Sequence, residues 1–193
     1  SNLSGHISNV GVDGLEEPVA TFMATSENQK QKEKISKMYE KASKLAKGQL
    51  APNFSYPDIE GSNISLETLK GRYIYIDVWA TWCGPCLKEL PHLEALQEQY
   101  KGNRNIAFTS ISIDKNKKAW RKMVTEKKMK GIQLISDKDW DSQICKDYII
   151  RGIPRFILID REGKIVDANA PRPSSDELKD LLANLLSEDR SAK

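Results

Sequence analysis

Three stretches of the chain are apolar at nearly every position. Tyr73-Ile74-Tyr75-Ile76-Asp77-Val78-Trp79, Ile106 to Ile113 and Phe156 to Asp160 are rich in β-branched and aromatic residues. Continuous apolar runs of this length predict strands covered on both faces. Between them the period changes to that of helices. Cys83 to about Tyr100, Asn116 to about Lys128 (carrying Trp120 and Val124) and Asp139 to Tyr148 read as helices. So does Ser174 to about Leu186, with Leu178, Leu181, Leu182 and Leu185 on one face. Gln133 to Ser136 is a brief strand. Arg161-Glu162-Gly163-Lys164 is a tight turn leading to a hairpin partner at Ile165 to Ala168.

Upstream, Phe54, Tyr56 and Ile59 alternate as in a short strand. Glu60 to Asn63 is a turn, and Ile64 to Leu69, closed by Gly71, is a helical turn. Ile35, Met38/Tyr39, Ala42 and Leu45/Ala46 recur at helical spacing, with Thr25 or Ser26 as cap and Gly48 as terminator. Residues 1 to about 25 contain the breakers Gly5, Gly11, Gly14 and Pro18 and are expected to form an irregular leader. The element order predicts an α/β domain with a mixed central sheet flanked by helices. Residues 49–193 are expected to hold that domain. Residues 1–48 would be the tail of an upstream segment plus an amphipathic linker helix, whose apolar stripe must pack on the domain or on something preceding it.

Composition leaves this picture unchanged: 193 residues, 39% hydrophobic and 30% charged, suffice for a buried core. No apolar run reaches the eighteen residues of a membrane span. The chain starts Ser-Asn without a basic and apolar leader, as expected of a trimmed or processed form. Net charge is +3, and between Ser26 and Gly48 seven lysines oppose three glutamates, leaving about −1 elsewhere. Nucleic-acid binders concentrate their charge, whereas this segment has no arginine, no interleaved aromatics beyond Tyr39, and lysines spread over most of its polar face, so a solvated helix face is expected and no nucleic-acid partner.

Chemistry concentrates in Cys83-Gly84-Pro85-Cys86, which opens a helix directly after a buried strand. A thiol in the first turn faces unpaired N–H groups and the positive end of the helix dipole, and both favour thiolate. Cys83 is therefore expected to attack and Cys86, one turn inside, to resolve. Pro85 suits a first-turn position. A zinc site would need four Cys or His ligands, usually in two pairs, and the other candidates, Cys145, His92 and His6, form no second pair and no repeating spacing. A purely structural disulfide would close too short a loop to matter. Cys145 is expected to be a small buried apolar residue. A second fixed point is Ile153-Pro154 ahead of the third apolar run, where the proline begins a strand or stands beside a site.

The segments Ile76 to Cys86 and Ile150-Arg151-Gly152-Ile153-Pro154 together resemble thioredoxin. Ala51-Pro52-Asn53-Phe54, Lys70-Gly71-Arg72, Glu89-Leu90-Pro91 and the Ile159 to Ile165 turn resemble the TlpA/ResA-type thiol–disulfide oxidoreductases, over about residues 50–187. The 71 positions from Cys83 to Pro154 are similar to those relatives in carrying an α/β insertion, here about 116–146. Trp120 and Trp140 within it resemble variants common in Bacteroidetes, often fused behind another domain. The resemblance implies a thioredoxin-like fold, a cis Pro154 facing the dithiol, and an Ile153 backbone that pairs with the substrate chain. It implies Asp77 as the buried carboxylate that accepts the Cys86 proton. It also implies Trp82 shielding the disulfide, with Gly84 and Pro85 at the substrate surface; Arg155, beside the proline, is expected either to steer acidic substrates or to be solvated. No cofactor beyond the Cys83–Cys86 disulfide is implied. The setting implied is periplasmic or extracytoplasmic, with disulfide-bearing protein substrates and a DsbD/CcdA-like membrane electron donor. Two departures stand out. Ser110 stands where thioredoxin has a lysine, so that water or Lys88 would manage the proton, and Arg155 replaces a small hydroxyl residue.

The expected activity is reduction of protein disulfides through a mixed disulfide on Cys83. A peroxiredoxin-like thiol peroxidase is the enzymatic alternative, with Thr81 poorly placed for it. A peptide-binding module that does no chemistry is the other, against which the intact dithiol argues.

Overall fold

The computed structural model describes residues 3–9, 12–136 and 138–191. Three helices come first: α1 (Leu3–Asn9), α2 (Glu16–Thr25) and α3 (Gln29–Ser43). The expected irregular leader is thus largely helical. Pro18 sits in the first turn of α2, where a missing N–H costs nothing, and Gly14 takes a left-handed turn (φ 76°) between the helices. Gly5 lies inside α1, and Gly11 lies outside the described residues. Val12, Val19, Ile35 and Ala42 bury one another with Ile7 in a small core of their own. Asn28, rather than Thr25 or Ser26, caps α3 by accepting from the Gln31 N–H at 3.1 Å.

The next elements are β1 (Ser55–Pro57), β2 (Asn63–Ser65), α4 (Leu66–Leu69), β3 (Tyr73–Trp79) and α5 (Gly84–Gln99). Then come β4 (Ile106–Ser112), α6 (Lys117–Glu126), β5 (Ile132–Ile135), α7 (Gln143–Asp147), β6 (Arg155–Ile159), β7 (Ile165–Asp167) and α8 (Asp176–Ser191). Asn63 and Ile64 pair with β1 as a second hairpin strand instead of belonging to the turns expected there. The helix expected over 139–148 is split: Asp139–Asp141 form one 3-10 turn, and an extended Ser142 separates it from α7.

The central sheet runs β5-β4-β3-β6-β7, parallel on the β4 side and antiparallel on the β6 side, a mixed sheet of the expected class. Strand alternation sorts its side chains onto two faces. Ile74, Ile76, Val78, Ile111, Ile157 and Ile159 join Trp120, Val124, Ile144 and Cys145 of α6 and α7. Tyr75, Phe108, Phe156 and Leu158 join Leu93 and Leu96 of α5 and Leu178 and Leu182 of α8. Ile149 packs on both the helical core of α1 to α3 and the neighbouring sheet core, and Leu45, just after α3, is buried in that sheet core too.

Candidate active site

β3 delivers the chain to the site. After Trp79 it leaves the sheet through Ala80-Thr81-Trp82, and Cys83 becomes the N-cap of α5 with extended backbone (φ −87°, ψ 97°). Its sulfur accepts the Cys86 N–H at 3.2 Å, the contact by which a helix start stabilises a thiolate. Cys83 and Cys86 are joined as a disulfide with Cα atoms 5.2 Å apart. Both are buried, while Gly84, Pro85 and Trp82 between and before them are exposed. Pro85 occupies the first turn of α5.

The loop before Cys83 is tied down by a carboxylate at the far end of β4. Asp114, buried, accepts the Thr81 N–H at 2.9 Å and the Thr81 hydroxyl at 2.7 Å. The Ser112 hydroxyl donates to the same carboxylate at 2.7 Å. The Thr81 hydroxyl that a peroxidase reading would need is therefore committed to a structural bond.

Asp77 lies mid-strand on the face of the sheet that α5 covers, and it is 4% exposed. Burial first, and the Glu89 carboxylate second, push its pKa up to about 7. Glu89 lies one turn beyond Cys86 on α5. It accepts the Ser174 N–H at 3.0 Å and the Ser174 hydroxyl at 2.9 Å, with Arg172 at 3.9 Å. Lys88, which with water is the expected proton manager, is exposed, and the charged neighbour that helps raise the Asp77 pKa is Glu89. The helical spacing of Cys83, Cys86 and Glu89 was the signal for it. For Asp114 no sequence signal exists, since its partner is 33 residues away.

The Ile153–Pro154 peptide is cis, and both residues are half-buried at the start of β6. β6 pairs with β3, setting Arg155 opposite Val78 and Phe156 opposite Asp77. This brings the proline end of β6 beside the C-terminal end of β3. Arg155 is half-buried, and its guanidinium donates to Asn169 Oδ1 at 2.7 Å and the Ala168 carbonyl at 3.5 Å. Burial pulls its pKa down from the usual arginine value. Trp82 is 56% exposed and Trp140, from the insertion, 41%; their rings stand 6.3 Å apart. Trp79 is wholly buried. Cys145 is buried on α7, and burial pushes its thiol pKa up.

Residues 46–185 match the Redoxin family model. Among curated proteins, the thiol–disulfide oxidoreductase ResA of Bacillus cereus (strain ZK / E33L) is 30% identical over 142 residues, covering 74% of this chain and 80% of its own length. A crystal structure of a Bacteroides vulgatus protein assigned as a thiol–disulfide oxidoreductase is 43% identical. It covers 74% of this chain and 99% of its own, with a TM-score of 0.68. A solution structure of another such assignment from Bacteroides vulgatus is 56% identical over 70% of this chain and 87% of its own, with a TM-score of 0.64. With its cysteine pair at the start of α5 and these relatives, the chain belongs to the Redoxin family, among the TlpA/ResA-like thiol–disulfide oxidoreductases.

Proposed function

We propose that this chain reduces disulfides in protein substrates, with Cys83 as nucleophile and Cys86 as resolving thiol. The Cys86 N–H aimed at the Cys83 sulfur, at the positive end of a sixteen-residue helix, supports that order. In the reduced enzyme the Cys83 thiolate attacks one sulfur of the substrate disulfide and expels the other as a thiolate. Cys86, once deprotonated, attacks the Cys83 sulfur and expels the second substrate sulfur. Two electrons have then passed to the substrate and the Cys83–Cys86 disulfide is closed. Asp77 accepts the Cys86 proton: a carboxyl with a pKa of about 7 is half-ionised at neutral pH and so suited to exchange one.

Ile153 and the cis Pro154 form the edge against which an extended substrate segment adds as a strand, and Trp82, Gly84 and Pro85 form the exposed surface beside it. Arg155 supports this edge through Asn169 and the Ala168 carbonyl. Residues 49–193 are the catalytic unit, with 116–146 its insertion, and 1–48 the appended helical segment. Disulfide-bearing clients persist in oxidising compartments, so the setting is periplasmic or otherwise extracytoplasmic. A DsbD/CcdA-like membrane dithiol would return the two electrons. Among the described residues no helix is long and apolar enough to cross a membrane.

The direction of exchange is tested by the equilibrium potential of the Cys83–Cys86 couple against glutathione. A Gly-Pro pair between the cysteines leads us to expect a thioredoxin-like value of roughly −270 mV; one near the roughly −120 mV of a disulfide-forming oxidant would reverse the assignment. Cys83→Ser should abolish insulin-disulfide reduction, and Cys86→Ala should accumulate mixed disulfides with clients.

A further inference from the structure

Ile149 is the residue whose backbone conformation is hardest to explain locally. It follows α7 with φ +52°, a left-handed conformation that branched L-residues avoid. The Tyr148 N–H donates to the Ile144 carbonyl at 3.0 Å and the Ile150 N–H to the Cys145 carbonyl at 2.8 Å. Together these make a helix-ending motif in which this position is ordinarily glycine. At seven of the nine other positive-φ positions among the described residues the chain uses glycine, and the two exceptions, Lys128 and Asp139, are not β-branched. An isoleucine here is retained for what its side chain touches.

That side chain packs both on the core beneath the sheet face and on the separate core of α1 to α3. With Ile7, Met38, Lys41, Ala42 and Arg151 it lines a cavity of about 50 Å³ between the helical layer and the loop. Its neighbours face inward: Tyr148 is buried and its hydroxyl donates to the Pro52 carbonyl at 2.6 Å, and Ile150 is buried too. Ile149 is therefore the point at which the loop running to Ile153 and Pro154 is held from the opposite side. Strain maintained by surrounding packing is the form that a functional constraint takes in a folded chain.

We propose that the layer α1 to α3 sets the geometry of the loop that pairs with substrate, and that Ile149 is the positioning residue through which it does so. This rests on Ile153 and Pro154 being the substrate-pairing edge. The layer acts on recognition of an extended polypeptide, not on the electron affinity of the dithiol. Substrates too small to lie along the loop are indifferent to it.

The test uses the whole 193-residue chain, driven by dithiothreitol, on insulin and on a small aromatic disulfide. Two variants attack the contact from opposite sides: Ile149→Gly, which keeps the left-handed backbone and removes the wedge, and Ile7→Ala in the helical layer. Each should lower the ratio of kcat/KM for insulin to kcat/KM for the small disulfide at least threefold, chiefly through KM. The Cys83–Cys86 potential should stay at the parent value. If both variants keep the parent ratio while Pro154→Ala lowers it, the proposal is wrong and the substrate edge stands. If Pro154→Ala also keeps the ratio, the edge itself is misassigned and the proposal falls with it. A potential that moves together with KM would overturn it as well, because the layer would then act on the dithiol.

Discussion

Asp77 carries the sharpest consequence at the scale of single residues. Its pKa in the fold is about 7 against 3.8 for an ordinary aspartate, because burial and Glu89 both penalise the carboxylate. Between pH 4 and 7 the native state holds a proton that the unfolded chain releases, so stability falls as pH rises through that window. The stability lost across that window is on the order of 4 kcal/mol. Asp77→Asn removes the titration. Its denaturation midpoint should lie near the parent's at pH 4 and well above it at pH 8; parallel curves at both pH values would show that Asp77 is not protonated in the fold. Ile149 gives a second residue-scale test. Ile149→Ala loses the packing and keeps the unfavourable backbone, whereas Ile149→Gly recovers roughly 1–2 kcal/mol of backbone strain. The glycine variant should therefore be the more stable of the two in denaturant, the reverse of the order found inside a helix.

At the scale of elements, the loop joining β3 to α5 is fixed by one buried carboxylate. Thr81→Val keeps the side-chain shape but deletes the donor to Asp114, and a hydrogen bond to a charged group is worth about 1.5–3 kcal/mol. Thr81→Ser keeps the donor and should cost well under half of that, measured as urea midpoints at constant slope. Equal losses in the two variants would mean that the methyl group, not the hydroxyl, holds the loop. The same distinction between local and distant causes decides which elements were legible in the sequence. β3, β4, α5, α6 and β6 follow from periodicity and caps that lie within a few residues of each other. The cysteine pair was legible for the same reason: a helix start and its chemistry are one local event. β2 was hidden because Asn63 and Ile64 become a strand only by pairing with β1. α1 and α2 are hidden because Gly5 and Pro18 look like breakers in sequence, although a glycine is tolerated in a helix and a proline in its first turn. Thr81 with Asp114, and Glu89 with Ser174, span 33 and 85 residues, and only the folded topology brings them together.

The described residues form two cores on either face of one sheet and a third, smaller core in the helical layer, which meets the α6/α7-side core at Ile149. Among the described residues the third core has Ile7, Val12, Val19, Ile35 and Ala42 as buried members, against the many wholly buried side chains of β3, β4 and β6. Local opening free energies follow buried apolar content, so the layer should open well below the global unfolding free energy. Native-state hydrogen exchange should then show α1 to α3 amides exchanging at least tenfold faster than those of β3 and β4. If Ile149 joins the layer to the domain, Ile149→Gly should accelerate α3 amides and those from Ile150 to Ile153 together, while leaving β3 protection at the parent level. The two segments are more than a hundred residues apart in sequence, so joint acceleration has no local origin. Acceleration of Ile150 to Ile153 alone would mean that the side chain merely supports its own loop, with the helices resting on the domain independently.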